Sequence, residues 1–304
     1  MSGLLLGAVA YDPKVVTIWD GFRVWLRGEG LDFDYILYSN YERQVEDLVA
    51  GRIGVAWNSP LAWVRARRLA DAAGVPLTPV TMRDTDCDLR SVVVVRADSP
   101  ARSLGDLRGR VVATGAVDSP QATLLPLSLL LTAGVHPVTE ASADTGAGAE
   151  AVAGAVVRVR RFDIGVGLHG DHIGGERDAA RALFAADADD RVDAACMIDS
   201  NLLLFAREGI LPSGAVRVLA QTPPYDHCTM TAGPGASEYD AARFGELLLG
   251  MDYADPALRT LLDLEGLKQW RPPRLSGYAQ LERAVDECGF YDAKGQIGAG
   301  DYRP

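Results

Sequence analysis

Residues 167–177, Gly-Leu-His-Gly-Asp-His-Ile-Gly-Gly-Glu-Arg, put two of the chain's four histidines into one glycine-rich turn. An imidazole titrates near neutral pH, so His169 or His172 can donate a hydrogen bond to a ligand, and a histidine beside Asp171 can move a proton. His227 beside Asp226 offers the same acid–base pairing. His172, Asp171 and His227 are therefore the candidate catalytic groups. His169, His172, Glu176, His227 and Cys228 also carry metal-donor atoms. The first two lie in a loop without the spacing of a helical metal pair. His227 and Cys228, adjacent on an expected strand, point to opposite faces. The expectation is a site with no metal and no cofactor. There is no Gly-x-Ser-x-Gly elbow and no lysine-bearing phosphate loop, so neither hydrolase-type nor nucleotide-loop chemistry is indicated.

A second set of polar groups occupies turns where strands are expected to run into helices: Ser39-Asn40-Tyr41, Asn58-Ser59-Pro60, Asp118-Ser119-Pro120, residues 169–175, and Asp199-Ser200-Asn201. A helix start presents unpaired backbone N–H groups and the positive end of the helix dipole. Several starts aimed into one cleft make a site for a small anionic or highly polar ligand. Tyr11, Tyr41, Trp57 and Trp63 flank polar strand ends; lining the cleft, they would fit a ligand with an organic body as well as a polar head. Trp19 and Trp25 sit near the helix face that contains Phe22 and are expected in the core.

The elements that position these groups alternate strand and helix, which predicts α/β layers. Strands are expected at residues 4–10, 34–38, 53–56, 91–96, 111–114, 156–166, 192–198 and 216–220. An amphipathic helix carries Val15, Ile18, Phe22 and Trp25. Residues 41–49 form a helix on the spacing of Val45, Leu48 and Val49, with Gly51 as its left-handed stop. The helix after Asn58-Ser59-Pro60 carries Arg65, Arg67 and Arg68, expected on a solvated face. Residues 141–154 are rich in Ala, Gly, Asp and Thr and fit either a small-residue helix or a surface segment.

Composition sets outer bounds. The chain has 304 residues, 48% of them hydrophobic, and a net charge of -11. That charge argues against nucleic acid or an anionic membrane surface, both of which need clustered Lys and Arg. No apolar run approaches the roughly 18 residues of a membrane span, so direct membrane insertion is not expected. Residues 4–10 lack the basic leader of a secretory signal and read as a buried first strand. The expected location is cytoplasmic as written, or periplasmic or lipid-anchored if a signal has been trimmed. Cys87, Cys196, Cys228 and Cys288 show no paired spacing and are expected as free thiols.

Three motifs resemble one family. Residues 41–63 contain Tyr41, Glu46, Leu48, Gly51, Ile53, Ala56, Trp57, Pro60 and Leu61 in the pattern of phosphonate- and phosphate-type solute-binding proteins of ABC transporters. Ser103, Asp106-Leu107-Arg108-Gly109 and Arg110 resemble the "Ser-x-x-Asp-Leu-Lys-Gly-Lys" opening of the second lobe in type II periplasmic binding proteins. His169, Gly170, Asp171 and Glu176 resemble the family's "His-Gly-Asp-x-x-x-x-Glu" turn. The resemblance implies an α/β, two-lobed type II periplasmic-binding-protein fold, each lobe a mixed sheet flanked by helices. Lobe 1 would comprise residues 1–98 plus 217–304, and lobe 2 residues 99–216, with hinges near 96–99 and 216–221.

It further implies a substrate-binding protein that closes on a small polar, anionic organic ligand and hands it to a membrane permease. Tyr11, Tyr41, Asn58, Ser59 and Trp63 would hold the ligand from the first lobe. Ser119, His169, His172 and Ser200 would hold it from the second, with Asp226 as a further contact. The family's Ser-Thr-Ser-Gly anion cradle falls on Asp118-Ser119-Pro120-Gln121, where only Ser119 keeps a hydroxyl and Pro120 has lost its N–H. That departure speaks against a plain phosphonate. The same fold also serves cytoplasmic enzymes, so an acid–base lyase or dehydratase is the alternative expectation.

Overall fold

The computed structural model describes residues 3–140, 156–163 and 172–302. They form two six-stranded mixed sheets with helices packed against them. In the first sheet, β1 (Leu4–Val9) is a continuous apolar run buried on both faces, as parallel strands between helix layers require. It pairs in parallel with β2 (Phe33–Tyr38) and β3 (Val55–Asn58). Between them run α1 (Lys14–Gly28), which buries Val15, Ile18, Trp19, Phe22 and Leu26, and α2 (Tyr41–Val49). Asn40 caps α2 by accepting a hydrogen bond from the Arg43 amide at 2.9 Å, and Gly51 follows it at φ +71°. β3 starts two residues later than expected because residues 51–54 are spent on the turn that leaves α2.

After β3, Ser59 caps α3 (Pro60–Ala73), with Pro60 in its first turn. Strand β4 (Thr78–Arg83) follows and lies one strand in from the edge of the first sheet. The chain crosses to the second sheet as β5 (Ser91–Arg96), followed by β6 (Val111–Thr114), α4 (Leu125–Thr132), β7 (His136–Thr139), β8 (Val156–Arg161), α5 (His172–Ala182), β9 (Ala194–Ile198), α6 (Asp199–Arg207) and β10 (Val216–Gln221). It returns as β11 (Thr229–Ala232), α7 (Glu238–Leu249), α8 (Pro256–Glu265), β12 (Trp270–Arg271) and α9 (Ala279–Glu287). The sheet orders are β12-β4-β11-β3-β1-β2 and β10-β5-β9-β6-β8-β7.

Two expectations need correcting here. β5 and β10 pair antiparallel with each other, and β5 also pairs with β9, so both lie wholly within the second sheet. The passages between sheets are therefore residues 84–90 and 222–228, not 96–99 and 216–221. They meet at Leu89 and Tyr225, which exchange backbone hydrogen bonds of 2.9 Å each way. Arg65 is not solvated either. It is 4% exposed and donates to the carbonyls of Gly295 and Glu42 and to the Glu46 carboxylate, while Arg68 donates to the carbonyls of Tyr291 and Asp292.

The lobes share apolar contact. Leu61 and Val64 of α3, Leu124 and Leu125 at the start of α4, Ile198, and Leu281, Ala284, Val285, Phe290, Tyr291 and Tyr302 of the C-terminal region make one buried cluster. Ser128 of α4 donates across it to Glu287.

Candidate functional site

A cavity of about 240 Å³ lies where the two sheets face each other. Its walls come from strand ends and helix starts, the places where open α/β sheets form sites. The first lobe supplies Tyr11 after β1, Tyr41 and Glu42 at the start of α2, Trp57 and residues 59–62 at the β3–α3 junction, Arg83 at the end of β4, and His227 and Cys228 just before β11. Asp118, Pro120 and Gln121 come from the turn between β6 and α4, and Tyr291 and Tyr302 from the segment after α9.

Arg83 organises one wall. Its guanidinium donates to both oxygens of Asp86 at 2.6 and 2.9 Å, and to the Glu265 carbonyl and carboxylate at 2.8 and 3.3 Å. It also lies 5.1 Å from the centre of the Trp57 ring. Burial pushes the Asp86 carboxyl up, but Arg83 and His227 outweigh it and hold the group well below the usual carboxylate range. Glu265 has the poorer contact. Burial raises it, Arg83 offsets this only in part, and it stands at about 7.

His227 and Cys228 do not point apart. They precede the strand rather than lying on it, so its alternation does not apply, and His227 Nδ1 sits 3.1 Å from Cys228 Sγ and 3.5 Å from Asp86 Oδ1. Donor atoms of Asp86, His227 and Cys228 lie within 4.8 Å of one another. Arg83 engages both Asp86 oxygens, and burial pushes the Cys228 thiol well above its ordinary value. That chemistry suits a hydrogen-bonded network better than cation ligation, which needs a thiolate and open carboxylate lone pairs. All four cysteines are free.

The structure brings Tyr11, Tyr41, Trp57, Ser59 and His227 to this cavity. Five other expected residues, Asn58, Trp63, Ser119, Ser200 and Asp226, are not among its lining residues. Asn58 is fully buried and accepts from Gln44 at 3.0 Å. Trp63 is buried against Tyr278, ring centres 6.0 Å apart. Ser119 is fully buried, and its hydroxyl oxygen accepts from the Ala122 amide. Ser200 is exposed at the start of α6. Asp226 ties Arg274 and the Asp88 amide together. His169 and Asp171 lie outside the described residues, as does the side chain of His172, whose backbone opens α5.

Glu42, Arg83, Tyr291 and Tyr302 were not read as site residues. Arg83 ends a strand and was open to the same strand-end argument as Asn58. Glu42 follows Tyr41 but looks like an ordinary first-turn acid. Nothing local marks the two tyrosines.

Comparison with known proteins agrees with this architecture. The family model for the periplasmic substrate-binding protein of phosphonate ABC transporters matches residues 8–278. No curated protein matches the sequence significantly. Among solved structures, XAC2383 from Xanthomonas citri, bound to chloride ion, is 20% identical with a TM-score of 0.67, covering 94% of this chain and 98% of that one. PhnD1 from Prochlorococcus marinus, in complex with methylphosphonate, is 18% identical with a TM-score of 0.63, covering 95% and 98%. The periplasmic aliphatic sulphonate-binding protein SsuA from Escherichia coli is 17% identical with a TM-score of 0.56, covering 98% and 92%. These neighbours share the two-lobed periplasmic-binding-protein fold, and the family match supports ligand binding rather than the enzyme alternative. With a match spanning nearly all of both lobes, the chain belongs to the phosphonate ABC transporter substrate-binding protein family.

Proposed function

We propose that this protein captures a small organic acid between its lobes and delivers it to a membrane permease, working outside the cytoplasmic membrane as its family description implies. The observation that carries this reading is the meeting of two helix starts across one small cavity. On one side Ser59 caps α3, and the cap residue and its first turn line the cavity. The Leu61 amide is one of the donors that helix geometry leaves without an intrahelical partner. On the other side Ser119 caps the turn leading to α4, and Pro120 and Gln121 face the same space. A developed anion is stabilised at such ends. Burial pushes the Tyr41 phenol well up, so this ring of the cavity wall stays uncharged.

The volume limits the ligand. A cavity of about 240 Å³ falls below the ~300–1,000 Å³ of sites for drug-sized molecules, so a compact solute fits. The aromatic rings of Tyr11, Tyr41 and Trp57 would cover its organic part. Closure would bend residues 84–90 and 222–228, the two strands of chain joined at Leu89 and Tyr225. No helix among the described residues is long and apolar enough to cross a membrane.

Thermal melts of the full chain with methylphosphonate, methanesulfonate, acetate and their amino-substituted counterparts test the reading. A ligand at 100 times its Kd adds about 2.7 kcal/mol to the native state. A rise in Tm with at least one of these acids is expected. A flat response to all of them, with native mass spectra showing no carried solute, would overturn it.

A further inference from the structure

Asp88 is the one non-glycine residue with a positive φ among the described residues, at +61°. Aspartate tolerates this left-handed region better than most side chains, but it remains disfavoured, and an outlier kept at a joint points to a function. Asp88 immediately precedes Leu89 in the outgoing passage between the sheets, and Asp226 immediately follows Tyr225 in the return passage. The two aspartates therefore flank the backbone bridge between Leu89 and Tyr225. The Asp88 amide also donates to Asp226 Oδ1 at 3.2 Å.

Arg274 links the pair. Its guanidinium donates to both Asp226 oxygens, from Nε at 2.8 Å, and to both Asp88 oxygens at 2.9 and 3.4 Å. The residues after it hold the return passage from the same side. Gly277 accepts from the Asp226 amide at 3.1 Å, Tyr278 donates to the His227 carbonyl at 2.9 Å, and Gln280 donates to the carbonyls of Pro223 and Pro224. Residues 274–280 thus lie as a strap along the return passage, and Arg274 extends the tie to the outgoing one. Its two arms differ. The Asp226 side chain is fully buried, whereas that of Asp88 is 63% exposed and that of Arg274 43%. The inner arm is shielded from salt. The outer arm is a solvent-exposed ion pair, which holds weakly and is screened by salt, so it can part without unfolding its surroundings.

We propose that Arg274 is an ionic latch on the joint between the lobes. Bound to both aspartates, it holds the two passages, and with them the lobes, at a single angle. Release of Asp88 leaves the outgoing passage free of the strap and lets the lobes rotate. The backbone strain at residue 88 is kept because the carboxylate it positions is the releasable half of the latch. The latch needs no bound solute, and so stands apart from the capture reading.

Pulsed dipolar spectroscopy of the ligand-free full chain tests this by reading the distance between the lobes. Spin labels are placed at the exposed positions Val24 in α1 and Leu203 in α6, through unnatural amino acids that leave the native cysteines alone. At low salt the wild type should give one narrow distance distribution. Asp88→Asn, which keeps a side chain suited to the left-handed region and removes the charge, should broaden it. Amide exchange across residues 84–90 and 222–228 should rise about threefold in the same variant, the scale of one exposed ion pair, while α7 stays unchanged. Sodium chloride at about 1 M should do the same to the wild type and add little to Asp88→Asn. Arg274→Gln should broaden the distribution further and, because it strands the buried Asp226, lower the Tm as well. A purely structural ion pair would lower the Tm and leave the distribution of folded molecules narrow. An Asp88→Asn distribution as narrow as that of the wild type overturns the inference, whatever Arg274→Gln does. So does a wild-type distribution already as broad as the variant's. Neither result bears on the capture reading, which the melts with small acids decide.

Discussion

Arg83 and its two acidic partners respond to burial in different ways, and each difference is measurable. Asp86 accepts both prongs of the guanidinium, whereas Glu265 accepts one at 3.3 Å. Removing the arginine would strand two buried carboxylates. Arg83→Met is therefore expected to cost about 3–5 kcal/mol in urea denaturation at pH 7, the usual penalty for breaking a buried ion pair from one side. The pH dependence follows from the same trio. Glu265 stands at about 7 in the folded chain against 4.5 for the free group, so between those values the folded protein holds a proton that the unfolded chain has released. Its contribution makes stability fall as pH rises from about 4.5 to 7, and Glu265→Gln should flatten that slope. Asp86 works oppositely. Its contribution is present above the ordinary aspartate value of 3.8 and is lost as the pH drops below it.

Among the elements, the short turn before α9 shows how closely the site's supports are packed. Asp226 lies in the return passage between sheets and accepts from Arg274 at 2.8 Å, while Gly277 crosses directly over it. A Cβ at 277 would stand 2.0 Å from Asp226 Oδ2, closer than any real contact, and the carboxylate is fixed by its arginine. Gly277→Ala should destabilise the protein by roughly 1–3 kcal/mol, the range for overpacking. Gly28, at the end of α1, has nothing within 4 Å of the same position. Gly28→Ala should be neutral or stabilising by up to about 1 kcal/mol in the same chemical denaturation series.

At the scale of the molecule, the lobes are coupled through a cluster that neither owns. Phe290 is 1% exposed at its centre, with Leu61 and Val64 from one lobe and Leu124 and Leu125 from the other among its members. A shared core predicts that scanning calorimetry of the wild type shows one cooperative transition. Phe290→Ala should cost about 3–5 kcal/mol and is expected to separate the lobes' melting, because the cavity it leaves opens the contact that joins them. A wild-type scan that already resolves two transitions would show that the cluster does not couple the lobes.

The alternation of strands and helices, the cap at Asn40, the stop at Gly51 and the Ser59-Pro60 start were all legible in sequence, because each depends on residues within one or two turns of one another. So were Tyr11, Tyr41 and Ser59, which sit at element ends where the chain's own punctuation points, whereas His227 stood out by its chemistry and was expected on a strand. Other features had no local trace. Asn58 and Trp63 share the punctuation of Ser59, yet pleat and helix phase turn them inward. Arg65 finds its carbonyl 230 residues away, and Glu42 meets Tyr291 and Tyr302 across 249 and 260 residues. Periodicity and capping report on neighbours along the chain, and contacts at such separations exist only once both sheets have formed and the C-terminal segment has closed over them. The sequence by itself determined a two-lobed scaffold and one face of its cleft. The contacts that tie the C-terminal tyrosines Tyr291 and Tyr302 to Glu42 at the start of α2 were decided by tertiary structure.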